Sequence, residues 1–299
     1  MRILSIGEVL WDVIGGREFL GGAPLNFSVS AQRLGNEVAF VSAVGADDRG
    51  RLALQSIEAQ GLSAEWIETL PGYPTGTAVA SMDASGSAIF QIIRPVAYDF
   101  LSAGEAVFNQ LVELRPDWIY FGTLVQTAPG NEALLHRLIA AAPSARRFYD
   151  INLREGQWSA ELVQRLSALT SVLKLNEAEA ETLFRLTHGL EKFSLERFCQ
   201  SWSRSYGIEL ICVTLGERGC AVWSNNALQN FPGRPAKVMD TVGAGDAFSA
   251  AFLHGLGRGW PLEQTAGFAN ALGSLVASRA GATPAWTIEE LCANRNGTV

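Results

Sequence analysis

Short apolar runs of strand length alternate with helix-length segments along most of the chain, and this restricts the fold to parallel strands joined by crossover helices. The strand-like runs are Ile3–Ile6, Val38–Ala43, Trp118–Phe121, Arg147–Tyr149, Val172–Leu175 and Leu210–Val213, with Ala221–Trp223 as a later strand. Between them, helices are expected at Pro24–Leu34, Arg49–Gln60, Ala103–Leu114, Asn131–Ala141, Ala160–Leu169, Ala178–Leu186 and Leu195–Tyr206, and after them at Asp246–Leu256 and Leu262–Arg279. With 48% of the 299 residues apolar, the chain can cover both faces of such a sheet. The expected fold class is α/β, with a three-layer α/β/α Rossmann-like core.

One region breaks the alternation. Thr77–Met82 and Ala88–Arg94 flank the turn-rich tetrapeptide Asp83-Ala84-Ser85-Gly86, which predicts an antiparallel hairpin. Val9–Ile14 and Arg17–Leu20 about Gly15-Gly16 predict a second pair. Together they form either a small β-sheet lid or an edge extension of a single sheet. The lid reading divides the chain into a core of residues 1–8, 22–73 and 100–299 and a lid of residues 9–21 and 74–99.

Charge removes several functions. A formal net charge of −7 and only three lysines, Lys174, Lys192 and Lys237, disfavour a nucleic-acid partner. No lysine stands in a Gly-Lys-Ser/Thr context, so a Walker-type loop is absent and phosphate must be held by backbone amides, arginines or metal. No apolar stretch reaches the roughly 18 residues of a bilayer span, and Glu8 and Asp12 interrupt any secretory leader; no membrane partner and a cytoplasmic location are expected. Cys199, Cys212, Cys220 and Cys292 have neither metal-ligand nor paired spacing and read as reduced packing thiols.

Open parallel sheets bind ligands at the carboxyl ends of their strands. There the sequence places Gly122 and Thr123; Asp150, Asn152 and Arg154; Asn176, Glu177 and Glu179; and Thr214, Gly216 and Glu217. Capping and turn formation account for any one of these positions. Asn176 with Glu179 suits a metal-bound water, and an acidic first turn equally suits a helix dipole.

The run Asp240-Thr241-Val242-Gly243-Ala244-Gly245-Asp246-Ala247-Phe248 is more specific. Its glycines allow several backbone N–H groups to face one anion, and the helix expected from Asp246 adds its positive end. A carboxylate would repel a merely bound anion. It has a task in phosphoryl transfer, where one group accepts a hydroxyl proton while donors neutralise the moving phosphoryl. The plain alternative is an N-cap behind an ordinary tight turn. A dinucleotide fingerprint fails, because Phe248 stands where a third Gly is needed.

With these residues in place, the chain resembles the ribokinase/PfkB family of carbohydrate kinases. Asp240–Phe248 matches that family's C-terminal signature, and Gly21-Gly22-Ala23-Pro24-Leu25-Asn26-Phe27 through Arg33-Leu34-Gly35 is similar to its N-terminal one. The resemblance implies a ribokinase-like core with a β-sheet lid, ATP and Mg²⁺ as cosubstrates, and K⁺ beside the nucleotide in some members. It implies Asp246 as the base and the amides of Gly243, Ala244 and Gly245 as the anion hole. Asn176, Thr214, Gly216, Gly219, Gly245 and Asn270 would contact ATP; Asn176 and Glu179 would hold Mg²⁺ through water, and Asp240 a monovalent cation. Asp12, Gly22, Ala23, Asn26, Arg94, Tyr98 and Arg154 would bind the sugar.

Gly7-Glu8-Val9-Leu10-Trp11-Asp12, Arg94-Pro95-Val96-Ala97-Tyr98-Asp99 and Asp150-Ile151-Asn152-Leu153-Arg154 look like fructokinases, although Ile151 replaces a frequent Pro. Arg94 and Arg154 also suit an acidic sugar such as 2-keto-3-deoxygluconate, or simple pairing with an Asp. The expected function is phosphorylation of a primary sugar hydroxyl, most of all that of fructose, with a homodimer through the lid. The alternatives are a silent sugar or nucleotide sensor and a dinucleotide-dependent oxidoreductase.

Overall fold

The structure, a computed structural model, describes residues 1–82 and 88–295. The turn expected at Asp83-Ala84-Ser85-Gly86 lies outside the described residues. In chain order the first elements are β1 (Arg2–Ile6), β2 (Leu10–Ile14), β3 (Arg17–Gly21), α1 (Ala23–Arg33), β4 (Glu37–Gly45), α2 (Asp48–Ala59), β5 (Ile67–Leu70), β6 (Gly76–Met82) and β7 (Ala88–Ile93). Next come α3 (Glu105–Glu113), β8 (Trp118–Gly122), α4 (Pro129–Ala141), β9 (Arg146–Asp150), α5 (Ala160–Ser167), β10 (Val172–Asn176), α6 (Glu177–His188) and α7 (Leu195–Tyr206). The last are β11 (Leu210–Thr214), β12 (Gly219–Ser224), β13 (Ala227–Pro232), α8 (Ala244–Gly257), α9 (Leu262–Ala277) and α10 (Ile288–Arg295).

Among the described residues the strands form two sheets. The larger is nine-stranded, in the order β13-β12-β11-β10-β9-β8-β1-β4-β5. From β5 to β11 all pairings are parallel, and β12 and β13 close the far edge antiparallel. Strand residues alternate between two apolar layers, as a two-residue side-chain period requires. Leu4, Ile119, Phe121 and Tyr149 pack with α3 to α7, whereas Ile3, Trp118, Tyr120 and Phe148 pack with α1, α2, α8, α9 and α10. This is the three-layer α/β/α architecture that the alternation predicts. Strand β1 has β4 on one side and β8 on the other, so the chain reverses its direction of growth there and leaves a crevice at the strand ends.

The second sheet is four-stranded, in the order β3-β2-β6-β7. Its strands come from the two pairs expected in the sequence, with β2 parallel to β6 and both hairpins antiparallel. Only Gly7, Glu8 and Val9 separate β1 from β2.

Three elements escaped the sequence reading. Strand β5 is a four-residue edge strand with Glu68 and Thr69 exposed, β13 has no fully buried residue and ends on Pro232, and α10 buries only Leu291 among its described side chains. Cys199, Cys212 and Cys220 are buried, but Cys292 stands exposed on α10 and is not a packing thiol. No helix among the described residues is long and apolar enough to cross a membrane.

Candidate active site

The first turn of α8 forms the centre. The helix begins at Ala244, two residues earlier than the sequence suggests, because Gly243 adopts a left-handed conformation (φ 77°) and serves as N-cap. Asp246 is therefore inside the first turn and not at the cap. A Cβ on Gly243 would lie 2.0 Å from the carbonyl oxygen of Ala282, so only glycine fits there. The helical ladder starts with Ala247 N–H donating to Gly243 at 2.9 Å. The N–H groups of Gly245 and Asp246 precede that rung and carry the positive end of the dipole. Ala244 N–H donates to the Thr241 carbonyl at 3.3 Å.

Asp246 is 9% exposed, and its Oδ2 accepts from Asn26 Nδ2 at 2.8 Å. Burial, and after it the charge of Asp150, push its carboxyl up to about 6, against the opposing influence of Lys174, Asn26 and Arg154. Asn26 is set by the start of α1, where its N–H donates to Gly22. Gly22 is the cap residue of α1, and a Cβ there would meet the Glu8 carbonyl at 2.4 Å. Ala23 is the first residue of that helix and is buried.

Beneath α8 lies a polar cluster between strands. Lys174 Nζ stands 3.1 Å from both carboxylate oxygens of Asp150, and Ser249 Oγ and Tyr120 OH lie 2.7 and 3.3 Å from Asp150 Oδ2. Glu8, 5% exposed in the linker after β1, has no hydrogen-bond partner for Oε2 among the described residues. Burial pushes its carboxyl up to about 7, opposed by its own backbone, by Arg154 and by the N–H of Ala23, and reinforced by Asp246. Burial likewise raises Asp12 to about 6, with Arg154 acting against it. Arg154 is thus within electrostatic reach of Glu8, Asp12 and Asp246.

A cleft of about 790 Å³ opens along the other side of the α8 terminus. Asn176, Thr214, Gly216, Gly219, Gly245 and Asn270, the six positions expected to face a nucleotide, all line it. Asn270 Nδ2 itself donates to the carbonyls of Phe231 and Pro232 at 3.4 and 3.0 Å. Asn176 and Glu179 form a capping box at the start of α6: Glu179 N–H donates to Asn176 Oδ1, and Glu179 Oε2 accepts from Asn176 N–H. Glu179 Oε1 accepts from Leu153 N–H at 2.8 Å. Burial raises the Glu179 carboxyl, with Lys174 opposing. Each oxygen keeps one further acceptor site, which suits a water of a hydrated Mg²⁺ better than direct ligation. No cluster of three or more His, Cys, Asp or Glu able to hold a metal occurs among the described residues. Asp240 accepts from Val242 and Gly281 N–H groups, both at 3.0 Å, and so ties the approach to α8 to the following loop.

Of the expected sugar contacts, Arg94 is engaged elsewhere. Arg94 bonds Thr127, Asp99 and Gln157, the last at 3.2 Å, and lines a separate 660 Å³ depression with Asp99. Tyr98 is fully buried, and its hydroxyl has no partner among the described residues. Pairing of Arg94 with an Asp was the plain alternative, and it is the one observed. Sequence reasoning passed over Glu8, Lys174 and Ser249 as functional groups. The available signals were an acid directly after an apolar strand and a lysine inside the otherwise apolar Val172-Leu173-Lys174-Leu175.

Comparison with known proteins shows the family and the fold. The chain is 28% identical to a fructokinase-1 of Oryza sativa subsp. japonica, over 96% of this chain and 95% of the relative. Its structure superimposes with a TM-score of 0.82 on a Vibrio cholerae O395 fructokinase double mutant solved with fructose, ADP and potassium ion. That pair is 26% identical and matches over 98% of this chain and 97% of the other. A Xylella fastidiosa fructokinase with bound ATP, 22% identical, shares the fold with a TM-score of 0.85 over 99% of this chain and 98% of the other. The family model described as pfkB family carbohydrate kinase matches residues 6–288, and the chain belongs to that family.

Proposed function

We propose that the protein transfers the γ-phosphate of ATP to a primary hydroxyl of a neutral sugar, with fructose as the leading acceptor. The observation that carries this is Asp246. Its carboxylate is bound to Asn26 of α1 and directly follows Gly245, which lines the 790 Å³ cleft. It thus stands between a cleft of nucleotide size and the polar groups around Glu8 and Asp12.

In this reading Asp246 accepts the proton of the attacking hydroxyl. The N–H groups of Gly245 and Asp246, at the positive end of α8, face the charge that develops on the phosphoryl. Mg²⁺ bound with ATP would be held through water by Asn176 and Glu179 and would neutralise phosphate charge. Glu8 and Asp12 accept from sugar hydroxyls, and Arg154 balances part of their charge. A neutral sugar is favoured because Arg94 is consumed by Asp99, Thr127 and Gln157. Arg154 alone then faces three carboxylates, a poor setting for an anionic acceptor. Names of relatives support fructose: the Oryza sativa and Solanum tuberosum proteins are both fructokinases.

The test is ADP release with a panel of fructose, glucose, ribose and 2-keto-3-deoxygluconate, run with and without K⁺. Turnover with fructose well above that with the sugar acid is expected. ATP binding by calorimetry with no ADP release from any sugar would show a sensor and overturn the reading.

A further inference from the structure

The buried pair beneath α8 has no place in the chemistry described so far. Lys174 and Asp150 are register partners on the adjacent parallel strands β10 and β9. Their side chains are 9% and 1% exposed, and the ammonium stands equidistant from the two carboxylate oxygens. The same carboxylate receives Tyr120 from β8 and Ser249 from α8, one turn after Asp246. Ser249 Oγ also lies 2.9 Å from the Gly245 carbonyl. A Cβ on Gly245 would be 3.4 Å from Lys174 Nζ, so the ammonium lies against the first turn of the helix. One group of four side chains therefore fastens three strands to the turn that carries Asp246.

Stability alone is a weak reason for such a pair. Burying two charges costs much of what their attraction returns, and apolar residues of similar volume often do as well. The neighbouring side chain on the same strand face, Val172, is apolar and belongs to the core packed against α8. A charge retained here acts where its field falls. Around Lys174 are Asp150, Glu179 and Asp246; around Asp246 are Asp150, Glu8, Lys174, Arg154, Tyr120 and Asn26. The lysine is the buried cation among these carboxylates.

We propose that Lys174 and Asp150 are positioning residues for phosphoryl transfer, holding the first turn of α8 through Ser249 so that Asp246 and the neighbouring amides face the substrates together. The ammonium also offsets the repulsion between the Asp150 and Asp246 carboxylates. This rests on the reading of Asp246 as the base.

The experiment compares wild type with K174M, K174R and S249A. It measures kcat and KM, the urea midpoint, and the titration of the Asp246 carboxyl by NMR of ¹³C-labelled aspartate, assigned with D246N. K174M should lower kcat at least about tenfold with a smaller change in KM, as misplacement of a reacting group does. Its Asp246 titration should move up by about one pH unit, as loss of a nearby opposite charge requires. K174R should recover most of the activity. S249A, which keeps the ion pair and removes the latch, should lower kcat several-fold without changing the titration. A folded K174M with unchanged kcat and titration overturns the proposal; if K174M does not fold, full kcat in S249A overturns it. Should wild type phosphorylate no sugar, the kinase reading fails separately, and the titration still decides whether Lys174 acts on Asp246.

Discussion

Asn26 and Asp246 stand 220 positions apart in the chain, and one hydrogen bond of 2.8 Å joins them. Through it the N-terminal signature segment, at the start of α1, holds the carboxylate of the C-terminal signature. The two motifs are thus parts of one site, built across the packed faces of α1 and α8.

The base assignment predicts that Asp246→Asn lowers kcat by about 10² or more, since a general base contributes on that scale. ATP affinity should be retained, because the cleft lining is untouched. Steady-state kinetics with calorimetry check both, and turnover close to wild type would remove Asp246 from the mechanism.

The pH profile follows from the raised Asp246 carboxyl. Only the ionised form accepts a proton, and the group titrates at about 6 in the folded protein. That value belongs to the unliganded protein, so kcat/KM is the quantity that reports it, and we expect kcat/KM to fall by at least about tenfold per pH unit below it. A profile that stays flat down to pH 5, on the order of one unit below the titration, would contradict the assignment.

Glu8 predicts a pH-dependent gain in stability on substitution. Its carboxyl titrates near 4.5 when unfolded and at about 7 when folded. The folded state therefore binds more protons between these values, and stability falls as pH rises through the window. Glu8→Gln removes that loss. Urea unfolding should show a gain on the order of 3 kcal/mol at alkaline pH, and almost none at acid pH where both states are protonated. A gain of equal size at both extremes would point to packing instead.

Gly243→Ala should destabilise the protein by about 1–3 kcal/mol, because a left-handed residue gains strain with any Cβ. The added methyl also runs into the Ala282 carbonyl. Displacement of the first turn of α8 should lower kcat in the protein that still folds. Thermal melting and kinetics on the same sample test this.

Much of the fold was legible because parallel strands covered on both faces read as short continuous apolar runs, as in Trp118–Gly122 and Leu210–Thr214. Strand β13 was not, since its edge position leaves no residue fully buried and so no apolar run. At the site, the Gly-rich run around Asp246 could be read because its chemistry is local to nine residues of sequence. The start of α8 was misplaced by two residues because the left-handed conformation of Gly243, not a side-chain cap, begins it. Lys174 could not be assigned a role from its strand alone. Its meaning comes from Asp150 and Ser249, which the sheet register and the packing of α8 bring to it.

The Glu179 carboxylate ties Leu153 N–H, beside Arg154, to the capping box of α6 on the nucleotide side. On the proposed function, the loop on the sugar side and the helix beside the nucleotide are riveted together by a single side chain. An engineer who rebuilds positions 152–154 for a new sugar would therefore alter the affinity for the phosphate donor as well, and selections run at saturating ATP would hide that drift.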